Sequence, residues 1–262
     1  MKIVVCVKYV PDAAAHRKFN ADYTVDRVGV DGMLSELDEY AVEEALKIRD
    51  ADESGEAQVA VLTMGPDIAR AAILKSLQMG ADSGVHIIDE AIHGSDSVAT
   101  SLVLAEAVKR QGAEIVLCGM ASTDGSMSVI PAMLAERLGM PQVTFASEVT
   151  VEGDTVRVRR DGDAATEIIE ATTPLVLSVT DQANEPRYPS FKGIMAAKKK
   201  PVEELTLADL GIAEGDVGLE ASWTRVEAYA ERPPRSAGTI VTDEDGAGAD
   251  QLVEFLAAQK FI

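Results

Sequence analysis

The chain has 262 residues, with 24 Lys and Arg against 44 Asp and Glu, for a formal charge of −20. That balance argues against a nucleic-acid-binding surface and favours repulsion from anionic membranes. Two cysteines, Cys6 and Cys118, allow neither a disulfide framework nor a zinc CxxC pair, and no apolar run approaches the ~20 residues of a membrane span. The cysteine usage suits a reducing, cytoplasmic setting. Three histidines without a dense His/Cys/Asp cluster argue against a zinc hydrolase.

Ile3–Val7 is a continuous apolar, β-rich run, the mark of a strand buried on both faces, and residues 1–10 read as that strand rather than as a signal peptide. Asp12 to Gly32 reads as a long loop. A helix is expected from about Asp38 to Arg49, with Leu37, Ala41, Ala45 and Ile48 as its apolar row and Glu39, Glu43 and Lys47 as its polar row. Gln58–Met64 is a second buried strand. Pro66 opens the next helix, and Gly80 ends it. Gly84–Ile88 is a third strand. Ser95 or Asp96 caps a helix that Gly112 closes, Glu114–Cys118 is a fourth strand, and a polar turn leads into a helix from about Val129 to Leu138. Such alternation implies a parallel α/β sheet with right-handed crossovers.

The pattern changes after Pro141. Thr144–Val151 and Thr155–Arg160 flank Glu152-Gly153-Asp154 as a hairpin, and Glu167–Ala171 and Leu175–Val179 are further strands. From Asp181 the chain turns irregular. Its last ~70 residues hold too little periodic apolar sequence for a core of their own, and a short helix closes the chain at about Gln251 to Gln259. The expected division is a nucleotide-binding domain over 1–190 and a C-terminal arm over 191–262.

The turn Gly119–Ser128 follows a strand and opens a helix. Ligands of parallel sheets bind at the carboxyl ends of strands, and helix N-termini favour phosphate. Ser122, Thr123, Ser126 and Ser128 can donate to phosphate, and Gly125 permits close backbone approach; an ordinary strand–helix turn with capping serines uses the same residues. No Walker lysine or GxGxxG is present. Asp38 reads as an N-cap that also lies above the carboxyl edge. His16 and His93 read as surface residues, without a nucleophile beside them. In Tyr188–Lys200, Phe191 stands between Pro189 and Gly193 and reads either as an interface anchor or as a ring folded onto its own core.

Several segments carry a family resemblance: Ile3–Asp12 (IVVCVKYVPD), Asp38–Leu46 (DEYAVEEAL), Met79–Ile87 (MGADSGVHI), Pro141–Asp154 (PQVTFASEVTVEGD) and, most strongly, Asn184–Pro201 (NEPRYPSFKGIMAAKKKP). In their order and spacing the chain resembles the β subunits of electron transfer flavoproteins, of the actinobacterial type, over essentially its full length. The resemblance implies an adenine nucleotide alpha hydrolase-like α/β core and no catalytic residues. It implies a heterodimer with a larger α subunit that holds most of the redox-active FAD. Electrons would come from acyl-CoA dehydrogenases and related flavoenzymes, as in fatty acid β-oxidation, and pass through a quinone-reducing oxidoreductase toward the quinone pool.

By position, the resemblance puts a nucleotide site at Cys6, at Ser35, Glu36, Leu37 and Asp38, at Met64, and at Gly119, Met120, Ala121, Ser122, Thr123, Asp124, Gly125, Ser126, Met127, Ser128, Val129 and Ile130. AMP is its expected occupant, with a second FAD or an empty site as the alternatives. Within the family's A-I-D-D-D-x-N-Q-T-G loop pattern, Asp124 matches, Gly125 matches a D-G-D form, and Ser128-Val129-Ile130 replaces Asn-Gln-Thr. The partner-recognition segment would be Arg187, Tyr188, Pro189, Ser190, Phe191, Lys192, Gly193, Ile194 and Met195, with Phe191 where the family has a leucine anchor. The competing reading is a stand-alone ATP- or AMP-binding regulatory protein of the universal-stress type, whose glycine spacing is not met after Gly119; a nucleotide-dependent hydrolase lacks a base and metal ligands.

Overall fold

A computed structural model describes residues 1–230, 233, 238, 240–243 and 246–262. The chain opens with β1 (Lys2–Cys6), β2 (Tyr9–Pro11), β3 (Gly32–Leu34) and α1 (Glu36–Asp50). Then follow β4 (Gln58–Met64), α2 (Arg70–Met79), β5 (Ser83–Ile87), α3 (Ser97–Gln111), β6 (Ile115–Gly119) and α4 (Ile130–Leu138). The second half contains β7 (Gln142–Ala146), β8 (Glu148–Glu152), β9 (Thr155–Asp161), β10 (Thr166–Thr172) and β11 (Leu175–Val179). It ends with α5 (Phe191–Ala197), β12 (Val202–Leu205), α6 (Gly218–Ala221) and α7 (Gly248–Ala258).

Among the described residues, seven strands form one sheet in the order β12-β5-β4-β1-β6-β11-β7, and every pair is parallel. The α/β core expected from the sequence is therefore present. Strand parity assigns the two faces. Ile3, Val5, Val59, Val61, Ile115 and Leu117 pack with α1, α2 and Ala197 of α5. Val4, Cys6, Ala60, Leu62, Val116 and Cys118 pack with α3 and α4. A sheet covered on both sides needs apolar residues at successive positions, which is why these strands read as unbroken runs. The chain moves outward from β1 to β4 and β5, then returns to β6 on the other side of β1. The topological switch point thus lies between β1 and β6.

Thr144–Val151, read as one strand, is two. Phe145 adopts φ 60°, its N–H donates to Ser178 Oγ at 3.0 Å, and the register with β11 shifts there. Past Ser147 the chain leaves the parallel sheet and starts a separate antiparallel sheet, β8-β9-β10. The expected long loop is framed at its ends, because β2 pairs antiparallel with β3, Tyr9 opposite Leu34. Phe191 opens a helix rather than standing in a loop.

The chain divides into two compact units, Met1–Glu227 and Ala228–Ile262. β12 lies in the first unit, paired with β5 from Val202↔Gly84 to Leu205↔Ile87. In the second unit, α7 has no buried residue, and Leu252, Val253 and Phe255 are exposed. The acidic stretch Thr242–Asp250 falls partly outside the described residues. No described helix is long and apolar enough to cross a membrane.

Candidate functional site

The carboxyl ends of β4, β1 and β6 lie side by side and place Met64, Cys6 and Gly119 in one row. Cys6 faces Cys118 across the β1–β6 pair, and both thiols are buried. The start of α1 lies against this row. Gly119 has no side chain for a steric reason: a Cβ there would stand 2.7 Å from Asp38 Oδ1 and 2.7 Å from the Leu37 carbonyl oxygen. The glycine lets β6 touch the first turn of α1 and close the floor of the cleft.

Asp38 is not the N-cap of α1. That position belongs to Ser35, whose side chain makes no capping bond. Asp38 instead accepts the Lys8 backbone N–H on Oδ2 at 2.8 Å. Burial pushes its carboxyl up to about 7, against the pull of the Lys8 N–H and charge, and the neighbouring Asp124 adds to the rise. Ser35 Oγ and Thr63 Oγ1 are buried without a hydrogen-bond partner.

The loop after β6 is held by cations that sequence reasoning missed. Lys8 Nζ lies 2.8 Å from Asp124 Oδ1, and Arg27 Nη2 lies 2.5 Å from Asp124 Oδ2. Arg17 donates to the Asp124 carbonyl at 2.9 Å and also to the Thr123 carbonyl. Burial alone would raise the Asp124 carboxyl; Lys8 and Arg27 outweigh it and hold the group well below the ordinary carboxylate range. The loop is turned tightly. Ser122 O accepts the Ser126 N–H at 2.9 Å, Asp124 Oδ1 accepts the Gly125 N–H at 2.6 Å, and Ser126 and Ser128 have φ near 54° and 57°. Positive φ at non-glycine residues concentrates at functional sites. Gly125, Ser126 and Met127 are exposed, while Met120, Ala121, Ser122, Thr123, Ser128, Val129 and Ile130 are partly buried. Glu36 points to solvent and Leu37 is partly buried. A cavity of about 580 Å³ lies between the ends of β7 and β11 and the β9–β10 hairpin, lined by Thr144, Phe145, Arg160, Asp161, Glu167 and Gln182 among others, and Met120 is the residue of the loop that reaches it. Three cations and two orphaned hydroxyls gathered at a carboxyl edge fit a phosphate-bearing ligand, while the Gly125 and Ser126 amides are taken up within the loop.

The second candidate region lies over α1 and α2. Glu43, whose helical spacing suggests a solvated row, is buried, as is Glu44 beside it. Arg187 covers Glu43 with Nε at 2.7 Å and Nη2 at 2.9 Å, and reaches Asp50 with Nη1 at 3.0 Å. The Glu43 hydrogen bond raises the guanidinium above its usual value. Asn184 donates to Glu44 at 2.8 Å. Lys47 pairs with Glu44 rather than with Glu43. The segment is thus pinned inward by Asn184 and Arg187. Ser190 caps α5 through the Gly193 N–H at 3.0 Å, and a Cβ on Gly193 would stand 2.5 Å from the Gln78 carbonyl, so α5 sits directly on α2. What remains faces out: Tyr188, Phe191, Lys192, Ile194 and Met195 are exposed, Phe191 at 82%. Its ring is not folded onto the core. Pro189 is partly buried. Lys75 of α2 stands 5.8 Å from the centre of the Tyr188 ring, a cation–π arrangement. Lys200, last of the lysine run, turns inward to the carbonyls of Leu77 and Ala81 at 3.0 and 2.5 Å. His93, expected at the surface, pairs with Asp22 at 2.8 Å. Among the described residues no metal-binding cluster occurs.

A doubly wound parallel sheet with a cation-lined loop at its switch point is the architecture of nucleotide-binding-like α/β proteins. The chain belongs to the electron transfer flavoprotein family: residues 22–210 match the electron transfer flavoprotein domain. It is 47% identical over 264 residues to the electron transfer flavoprotein subunit beta of Mycobacterium bovis, covering 99% of both chains. The subunit beta of Megasphaera elsdenii is 36% identical over the whole of both chains. The acryloyl-CoA reductase electron transfer subunit gamma of Anaerotignum propionicum is 34% identical, again over the full lengths. These matches bear out the resemblance to β subunits, and their full length sets aside the universal-stress alternative. The chain is an electron-transfer subunit of a flavin-associated family.

Proposed function

We propose that this chain pairs with a larger α subunit as a heterodimeric electron carrier whose redox-active FAD is held mainly by α. In this reading the heterodimer works in the cytoplasm. It takes electrons from acyl-CoA dehydrogenases and related flavoenzymes of fatty acid β-oxidation and hands them to a quinone-reducing oxidoreductase. The observation that carries the donor assignment is the exposed Phe191 ring on a helix whose other side is fixed to α2 and α1. An exposed aromatic on a rigid support is the makeup of an interface anchor. The name of the Anaerotignum relative, which couples electron transfer to an acryloyl-CoA reductase, supports a CoA-thioester enzyme as the redox partner.

Cys6, Ser35–Asp38, Met64 and Gly119–Ile130 hold AMP in this reading, with Lys8, Arg17 and Arg27 supplying positive charge to its phosphate. The nucleotide is structural: it fixes the loop and leaves electron transfer to the flavin. A second FAD, or no occupant, is the competing outcome. Residues 191–262 supply the docking helix and an arm that packs on α, with the exposed apolar side chains of α7 as contact surface. The test is co-expression with the α subunit, followed by mass spectrometry of small molecules released on denaturation. AMP and FAD in equal amounts support the reading; FAD at twice the heterodimer concentration without AMP moves the second flavin into this chain. A colourless monomer that ignores α contradicts it.

A further inference from the structure

The sequence holds one tryptophan, Trp223. The residue is 85% exposed, yet its backbone is bolted to the start of α3. Asp96 does the bolting with both oxygens. Oδ1 caps α3 by accepting the Val98 and Ala99 N–H groups at 3.0 and 3.1 Å. Oδ2 accepts the Trp223 N–H at 2.9 Å, the Thr224 N–H at 3.0 Å and the Thr224 hydroxyl at 3.1 Å. Ser222 Oγ accepts the Asp96 N–H at 2.9 Å and reaches the Gly94 carbonyl at 2.9 Å. A slack segment could lay an indole on the nearest apolar surface. This one is fixed and presents the ring to water, which lowers the ordering cost of burying it in a partner. Met127 of the nucleotide loop reaches the same helix start: its Sδ accepts from Ser97 Oγ at 3.6 Å, and it too is exposed.

This face is not the one that carries Phe191. α5 packs on the last turns of α2, where Gly193 meets Gln78. Because α2 runs back from the carboxyl to the amino edge of the sheet, Phe191 lies toward the amino edge, on the α1–α2 face. Trp223 lies at the carboxyl edge, on the α3–α4 face. Two rigid aromatic anchors at diagonal ends of one body suit two different partners. The one at the nucleotide loop is also the one from which the chain continues into its C-terminal unit, beginning at Ala228.

We propose that Trp223 is the anchor for the flavin-bearing partner subunit, seated in an apolar pocket of that subunit with Met127 at the pocket's rim. The inference rests on the heterodimer reading above. Its test uses the co-expressed heterodimer labelled with fluorotryptophan, in which the fluorine resonance missing from the Trp223→Phe complex is that of Trp223. In the assembled complex that resonance is insensitive to exchange of water for heavy water. Trp223→Ala keeps every Asp96 bond, since those use the backbone and Thr224, so the chain folds as before. Its subunit affinity, read from dissociation on dilution, falls about thirtyfold, as for other aromatic anchors. Trp223→Phe recovers part of the loss, and Phe191→Ala leaves subunit affinity unchanged. A resonance that stays solvent-sensitive in the formed complex, or a Trp223→Ala chain that binds as tightly as the unsubstituted one, overturns the inference and leaves the heterodimer standing. Failure of the unsubstituted chain to assemble at all overturns the heterodimer reading and this inference with it.

Discussion

At the carboxyl edge of the sheet, Asp124 is buried between Lys8 and Arg27, while toward the amino edge Phe191 stands in solvent on α5. In the first region three cations, Lys8, Arg17 and Arg27, fasten the loop through one carboxylate and two backbone carbonyls. The second uses its polar groups, Arg187, Asn184 and Ser190, to fasten a helix whose outward side is apolar. Substitutions in the first region should therefore change folding and ligand retention together. Substitutions on the outward side of the second should change association and leave folding alone.

The largest effect expected from the carboxyl edge is a pH dependence. Burial raises the Asp38 carboxyl from its ordinary 3.8 to about 7, so the folded state binds more protons than the unfolded state between those values. Stability attributable to Asp38 is then highest at the acid end, falls as pH rises from about 4 to about 7, and levels off above. At ~1.4 kcal/mol per pH unit the full change is on the order of 4 kcal/mol. Denaturant melts of the unsubstituted chain and of Asp38→Asn across that window should differ in slope; equal slopes would place the carboxylate in a wetter site.

Next comes Gly119→Val. Its Cβ would stand 2.7 Å from Asp38 Oδ1 and from the Leu37 carbonyl, and the carbonyl cannot yield without moving the start of α1. A loss of ~3 kcal/mol is expected, with nucleotide content falling in parallel. Gly125→Val is the milder probe of the same loop, because its Cβ would meet side-chain ends alone, Ser122 Oγ at 3.2 Å and Lys8 Nζ at 3.9 Å. It should lower nucleotide content with little change in melting temperature.

Asp124→Asn removes the charge facing Lys8 and Arg27. Breaking a buried pair costs about 3–5 kcal/mol, and the water still reaching both cations brings the expectation to ~2 kcal/mol. The sign with pH is opposite to that of Asp38. The depressed Asp124 carboxyl contributes stability at and above about pH 4 that is lost as pH falls further, and the variant should lack that acid limb. Smaller again is Gly193→Ala, whose Cβ would stand 2.5 Å from the Gln78 carbonyl. Lifting α5 should cost ~1–2 kcal/mol of stability and weaken donor docking, which distinguishes it from changes on the outward side of the same helix.

Much of the frame was legible in the sequence because burial on two faces leaves unbroken apolar runs. β1, β4, β6 and β11 were readable for that reason, and Gly119–Ser128 stood out as a strand–turn–helix junction. Lys8, Arg17 and Arg27 were not legible as a group. Their ligand, Asp124, lies about a hundred residues away, and charges in an aperiodic stretch carry no signal of what they will meet. Glu43 misled for the converse reason: helical spacing puts it on a polar row with Glu39 and Lys47, and only the return of Arg187 over α1 buries it. β12, with sequence Val-Glu-Glu-Leu, is short and acidic and becomes a strand only because the edge of β5 is open to it. Trp223 stood in a segment without periodicity, and its fixed exposure comes from Asp96, far earlier in the chain.

Phe191→Ala in the purified heterodimer decides whether α5 docks the electron donor. Flavin absorbance, melting temperature and the rate of flavin reduction by an acyl-CoA dehydrogenase should be measured on the same preparation. Flavin content and melting temperature should be unchanged, with reduction at limiting concentrations slowed on the order of thirtyfold and partly restored in Phe191→Leu. A reduction rate equal to that of the unsubstituted heterodimer would contradict that docking.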